Sequence, residues 1–271
     1  MLGAVLAPRQ SQAADSASGA RGPHVVFVTG DDEYRSEITM PMLAKILQGH
    51  GMRTTVLSAH PTSKSRDNIP GLEALKNADL AVFYLRFRAL PEEQLKPILD
   101  YVGSGKPLVG LRTSTHAFSY PKGHDRAGLN DSFGREMFGQ KWLFHHGHTS
   151  STDVEVISSQ RWHPILRGVE PTFHVTSWLY HVLPLEGECA LLLMGRSVHS
   201  EQKEQVPNPV AWTRTHRGGR VFFTTLGHPK DFEVESVRRL LVNSIYWGLG
   251  RDVPAKVAVP IPEGYKTPET H

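Results

Sequence analysis

The chain has 271 residues, 39% of them hydrophobic, enough to bury an extended core within one large domain. Lys plus Arg number 30 against 27 Asp plus Glu, so the formal charge is only +3, and with no long basic run a nucleic-acid partner is not expected. The single cysteine, Cys189, excludes an internal disulfide and any cysteine-based metal cage, and no stretch approaches ~18 uninterrupted apolar residues, so no membrane span is expected.

Residues 1–22 do not read as fold. Leu2 to Ala7 is a short apolar run, and Ser11-Gln12-Ala13 before Ala14-Asp15 has the small-x-small form of a signal-peptidase site, without a charged start. Two expectations stand: a signal-peptide remnant on a periplasmic or secreted protein, or a disordered Ala/Ser/Gly leader on a cytoplasmic one.

From residue 23 the punctuation is regular. His24 to Thr29 is an apolar run of the doubly buried kind, leading through Gly30-Asp31-Asp32-Glu33-Tyr34 into a helical pattern from Glu37 to Gln48, with Gly49 and Gly51 behind it. Arg53 to Leu57 and Asp79 to Leu85 read as strands, with a short helix at Leu72 to Lys76 between them. Pro91 opens a helix to Val102, and Leu108 to Leu111 is a fourth buried strand. Alternation of this kind predicts a parallel sheet with helices on both faces.

The second half changes character. Residues 119–147 read as one long Gly-rich, aromatic loop ending near Phe144-His145-His146-Gly147-His148, and a loop of that length is usually functional. Thr152 to Ile157 alternates like an edge strand, His163 to Val169 reads as a turn, and Trp178 to Val182, Ala190 to Met194, Pro209 to Thr213 and Arg220 to Thr225 read as strands. Arg217-Gly218-Gly219 marks a hairpin turn. Val234 to Trp247 is a closing amphipathic helix, and residues 251–271 form a Pro-rich strap. Trp162, Trp178, Tyr180 and Trp212 are expected in the core. No linker divides 23–250, so one domain is predicted; the alternative is a β-rich second half that folds separately.

The stretch around which the chain is organised is Lys106-Pro-Leu-Val-Gly-Leu-Arg-Thr-Ser-Thr-His-Ala-Phe118. Arg112 stands where a buried strand turns sharply, with Thr113, Ser114 and His116 behind it, and the carboxyl edge of a parallel sheet is where α/β proteins collect their ligands. Residues 30–34, 86–88 and 226–231 end at the same edge. Arg112, with the amides near Thr113 and Ser114, is expected to favour an anion or a developing oxyanion; the alternative is that Arg112 and His116 are structural, with Arg112 paired to Asp31, Asp32 or Glu33, a pairing compatible with a site role as well. His228, in Leu226-Gly-His-Pro229, faces the same crevice or else caps the closing helix.

With these pieces placed, the chain resembles the ThuA-like family, related in fold to class I glutamine amidotransferases. The resemblance runs from about residue 24 to 249 through GDDEYRSE, LPEEQLKPILDYVGSGKPLVGLRTSTHAF, FHHGH, HPILRGV, PVAWTRTHRGGRVFFTTLGHPKDF and RRLLVNSIYWGLG. It implies an α/β, flavodoxin-like or class I glutamine amidotransferase-like three-layer sandwich with a mostly parallel central sheet. In an amidotransferase of this fold the elbow carries a nucleophilic cysteine activated by a late histidine. Here Arg112 holds the position that looks like the cysteine's, and His228 resembles the histidine, so thioester chemistry is not expected.

The resemblance further implies a carbohydrate-active protein acting on disaccharides or keto-glycosides; the alternative is a non-catalytic sugar-binding or scaffold protein. For an enzyme, His228 is the expected base, Arg112 the oxyanion donor and His146 or Glu33 the acid, with Asp31, Asp32, Tyr34, Thr113, Ser114 and His116 contacting a small carbohydrate. No cofactor is singled out by the sequence, a divalent metal being possible. A divalent metal is a minority expectation, held by His146 and His148, which share a face of an extended chain, together with His116 or His228. Nothing in the sequence sets an oligomeric state.

Overall fold

The structure, a computed structural model, describes residues 22–199 and 206–270, so the leader expected over 1–22 lies almost wholly outside the described residues. The elements in order are β1 (His24–Gly30), α1 (Ser36–Gly49), β2 (Arg53–Ser58), β3 (Leu80–Leu85), α2 (Glu92–Gly103), β4 (Leu108–Leu111), α3 (Leu129–Phe138), β5 (Phe144–His145), β6 (Ser151–Val156), β7 (Thr172–Val175), β8 (Tyr180–His181), β9 (Cys189–Val198), β10 (Asn208–His216), β11 (Gly219–Thr224) and α4 (Glu235–Gly248).

Strands from both halves join one nine-stranded sheet in the order β2-β1-β3-β4-β11-β10-β9-β6-β7. The pairings from β2 across to β11 are parallel, and those from β11 on to β7 are antiparallel. The hairpin between β10 and β11 turns on Arg217 and Gly218, at φ 49 and 82, the left-handed pair that lets a two-residue turn follow the twist of its strands.

Side chains of the parallel strands alternate between two buried layers. Phe27, Val82, Val109 and Phe222 pack with Leu43 and Leu47 of α1 and with Leu241 and Ile245 of α4. Val28, Phe83, Leu108 and Phe223 pack on the other side with Ile98 of α2 and with Phe133 and Phe138 of α3. The result is the expected three-layer α/β sandwich.

Three expectations give way. Residues 119–147 are not one loop, because α3 occupies 129–138. Two glycines let α3 lie close: a Cβ on Gly134 would stand 2.2 Å from the Thr115 carbonyl oxygen, and one on Gly110 of β4 would stand 2.3 Å from the Phe138 ring. The strand expected at 178–182 shrinks to β8, which pairs only with β5 in a separate ribbon where the Phe144 and His181 rings stack at 4.5 Å. Trp162, expected in the core, is 82% exposed and lies under the Arg161 guanidinium at 4.9 Å, because His163 takes the inward place, 5.7 Å from Trp247.

Candidate functional site

The site grows from the end of β4. Arg112 has φ 39, a left-handed value strained for any residue that carries a Cβ, and begins a 3-10 turn over Arg112–His116 that swings its side chain across the carboxyl edge of the sheet. Its guanidinium is wholly buried. Nη1 donates to the carbonyls of Thr225 at 2.8 Å and Trp178 at 3.3 Å, and Nη2 donates to the phenol oxygen of Tyr34 at 3.0 Å. The guanidinium carbon lies 4.4 Å from the Tyr34 ring centre, 4.5 Å from that of Tyr180 and 6.0 Å from that of Trp178. Burial opposes the charge, and the hydrogen bonds to the Thr225 and Trp178 carbonyls and the Tyr34 hydroxyl, with the ring faces around it, stabilise the cation.

The carboxylates expected to pair with Arg112 are engaged elsewhere. Glu33 meets Nη2 of Arg86 at 2.5 Å, and Asp32 lies 4.0 Å from Arg86 and 3.8 Å from the buried Arg88. The cause is the backbone: Arg86 N donates to Gly30 O at 3.1 Å, zipping the loop after β3 to the loop after β1. Asp31 is also fully buried, accepting from Tyr34 N at 3.1 Å through Oδ1 and from the Thr113 hydroxyl through Oδ2. Burial raises its pKa to about 6, against the pull of those two hydrogen bonds.

The Thr113 and Ser114 hydroxyls, expected to meet substrate, lash the elbow down instead. Ser114 donates to Phe83 O at 2.8 Å and accepts from Leu85 N at 3.1 Å. His116 does face an opening, a cleft of about 490 Å³ also lined by Asn130, Asp131, Lys141, Trp142 and Leu143. Its ring sits 5.0 Å from Phe87, 5.4 Å from Trp142 and 6.4 Å from Tyr180, and desolvation, helped by Arg86 and Arg112, pushes its pKa down to about 3.

His228 joins this group through Tyr34, whose ring meets it edge-on at 6.1 Å. Arg112 and His228 thus lie close together at this edge, both against Tyr34, with Arg112 itself sealed from solvent. His228 also caps the short turn Pro229–Glu233, with Nδ1 accepting from Lys230 N at 3.2 Å. Burial lowers its pKa; Asp231 works the other way, while Arg112 and Lys230 add to the lowering. A neutral ring whose Nδ1 is an acceptor carries its proton on Nε2, so His228 presents a hydrogen-bond donor here and not the base expected of it.

Asp231 organises the edge beyond. It accepts from Thr176 N at 2.9 Å, Ser177 N at 3.0 Å, Gly227 N at 3.0 Å and the Ser177 hydroxyl at 2.5 Å. Tyr84 fixes the same point by donating to Gly227 O at 2.7 Å. Sequence reasoning missed Ser177 and Tyr84; of the two aromatics it read as core, Tyr180 is buried there and Trp178 is only half-buried, and both also wall the Arg112 cage. Their i, i+2 spacing, which puts both on one side of an extended segment, was the available signal.

The histidine pair foreseen for a metal is not formed. Gly147, at φ 105, breaks the extended chain, so His148 is exposed beside His145, their rings 4.6 Å apart, and both lie against Trp178 at 4.5 and 5.1 Å. His146 is buried, its N donating to Leu179 O at 3.0 Å. Among the described residues no three His, Cys, Asp or Glu side chains converge as a metal site, so these residues do not fit a resident ion. Cys189 is half-buried on β9 with its thiol pKa raised by burial, which gives it no nucleophilic character.

A parallel half-sheet with a strained elbow at its carboxyl edge and a histidine after the last parallel strand is the architecture of the amidotransferase-like α/β sandwiches. The family profile described as ThuA, trehalose utilisation, matches residues 24–248, and the chain belongs to that family. A ThuA-like protein of Parabacteroides merdae superposes with a TM-score of 0.64 at 15% identity, covering 92% of this chain and 96% of that one. One of Bacteroides uniformis gives 0.61 at 16%, covering 89% and 97%. A Rahnella β-galactosidase shares the fold over 33% of its own length and 89% of this chain, at a TM-score of 0.52 and 12% identity. No curated protein sequence matches the chain.

Proposed function

We propose that the chain is a carbohydrate-active enzyme acting on a disaccharide or a keto-glycoside by acid–base chemistry, without a covalent nucleophile. The observation that carries this reading is the pair of oppositely displaced groups on either side of Tyr34. Asp31, whose carboxyl is raised to about 6, accepts from the Tyr34 amide, and His228, whose pKa is lowered, packs on the Tyr34 ring. Titratable groups displaced from their ordinary values at one sheet edge are a mark of acid–base sites. The trehalose-utilisation family supports the substrate class.

A ketone acidifies the neighbouring C–H. A base takes that proton, the C–H electron pair forms the enolate, and the glycosidic oxygen leaves with a proton returned to it. In this scheme His228 Nε2–H donates to the developing enolate oxygen. Glu33, a partly exposed carboxylate held by Arg86, takes the proton and returns it to the leaving sugar. His116 and Trp142 in the adjoining cleft hold the ring, and Arg112 contributes a fixed positive field from behind Tyr34 without touching substrate.

One observation favours a second reading, a sugar-binding protein without turnover: the elbow residue Arg112 exposes no surface to a ligand. Turnover measured over a panel of disaccharides and 3-keto-glycosides, alongside equilibrium binding, decides between them. The enzyme reading expects consumption of at least one keto-glycoside, lost in His228→Ala and in Glu33→Gln. Binding without consumption, unchanged in His228→Ala, replaces it with the second.

A further inference from the structure

The residues that follow the family's matched span, 24–248, are built into the molecule and lead back to His228. Val253, Val257 and Val259 are buried in the layer of α1 and α4, and Tyr265 packs against the same cluster. Side chains from the body hold the strap's backbone: Arg167 donates to Val253 O, Arg239 Nη1 to Val257 O at 2.7 Å, and His50 Nε2 to Ala258 O at 2.7 Å. Arg238 ties it to the site. Its Nε donates to Val259 O at 2.7 Å, and its Nη1 donates to Phe232 O at 2.6 Å and Glu233 O at 2.9 Å, the end of the turn that His228 opens.

Farther along, Arg35 Nη1 donates to Glu269 O at 3.4 Å. Arg35 directly follows Tyr34 and holds φ 54, so the strap is fastened to both segments that frame the Tyr34–His228 contact.

We propose that residues 251–270 form one wall of the candidate site and that Glu269, held through its carbonyl by Arg35 next to the Tyr34–His228 contact, is a positioning residue whose carboxylate acts on the imidazole of His228. The charged groups around that ring are Asp231, Arg112, Lys230 and Glu269, with Arg35 on the Glu269 carbonyl and Tyr34 packed against the ring. Asp231 spends its oxygens on Thr176, Ser177 and Gly227, and Arg112 is sealed in its cage. Lys230 and Glu269 are exposed, and Glu269 is the exposed carboxylate of the four. Its charge favours the imidazolium and opposes the effect of burial. The role of this wall in catalysis rests on the acid–base reading, but its existence does not.

The test follows the His228 ring by NMR titration of histidine-labelled full-length protein, with His228→Gln identifying the signal. Glu269→Gln, and a chain ending at Thr267, should each move the His228 midpoint further down at low ionic strength, and less at high ionic strength, as expected for a screened charge. Glu263→Gln, on the same strap, should leave it in place. An unmoved midpoint in Glu269→Gln overturns the proposal, and that substitution decides alone if the shortened chain fails to fold. Because the readout needs no substrate, it stands or falls apart from the assays of turnover.

Discussion

Arg112 and Tyr34 meet in two ways at once: Nη2 donates to the phenol oxygen at 3.0 Å, and the guanidinium carbon lies 4.4 Å from the centre of the same ring. With no carboxylate paired to it among the described residues, the buried cation depends on carbonyl oxygens and ring faces to replace water. Arg112→Ala removes the charge and leaves a void between three aromatic rings, so it should destabilise the fold by about 3 kcal/mol or more in urea unfolding. Arg112→Lys should recover only part of this, since an ammonium cannot span the positions of the planar fork. An unfolding midpoint unchanged in Arg112→Ala would show that the cage carries no structural weight.

Asp31 and His116 should give opposite pH slopes. The Asp31 carboxyl rises from 3.8 to about 6 on folding, so the native state holds its proton more tightly, and stability falls as pH rises between those values. The loss is on the order of 3 kcal/mol. Asp31→Asn should abolish that slope and stabilise the protein at neutral pH. His116 falls from 6.5 to about 3, so its neutral form is favoured, and stability is lost as pH drops below 6.5. His116→Gln should flatten this acid limb in thermal melts taken across pH 4 to 7. Slopes retained in both variants would assign the titration to other groups.

Gly227 is a test of close approach. A Cβ there would lie 2.5 Å from the Tyr84 hydroxyl and 3.2 Å from Arg112 Cβ. Gly227→Ala should therefore cost roughly 1–3 kcal/mol by forcing the Tyr84 bond and the elbow apart. Gly227→Ala in a Tyr84→Phe background should cost less, and equal costs in the two backgrounds would remove the Tyr84 contact as the reason.

The elements with strong periodicity were legible in the sequence: α1, α2 and α4 carry continuous apolar stripes, and β1, β3 and β4 are short buried runs. α3 was hidden because Gly128, Gly134 and Gly139 make the segment look like loop. Its true signal was Leu129, Phe133 and Met137 at a spacing of four, closed by a glycine in the left-handed cap at φ 87. At the site, the sequence pointed to the edge where 31–34, 112–116 and 228 converge. It could not rank partners that are distant along the chain, so Arg86 and Arg88 took Asp32 and Glu33, Thr113 took Asp31, and Gly147 separated the histidines that alternation had put together.

His228 should show its tautomer in activity. Protonation places a hydrogen on Nδ1 against the Lys230 N–H that it now accepts from, so the ring loses its cap and its aim together. Activity on a keto-glycoside is expected to persist through neutral pH and to fall as pH drops through a His228 pKa that lies below 6.5. Lys230→Pro, which deletes that N–H, should relax the tautomer and broaden the limb. A limb that stays in place in His228→Gln with residual activity would belong to another residue.

The sheet's change from parallel to antiparallel pairing also orders events in time. β1 to β4 can assemble from near neighbours, but β11 reaches β4 only after the whole antiparallel excursion, and Arg112 lies 113 residues from the Thr225 carbonyl it holds. Contacts that close so long a loop form late in folding. The newborn chain thus spends its early life with the Arg112 cation stranded in water at an open sheet edge, and it is sealed away only when the last strand docks.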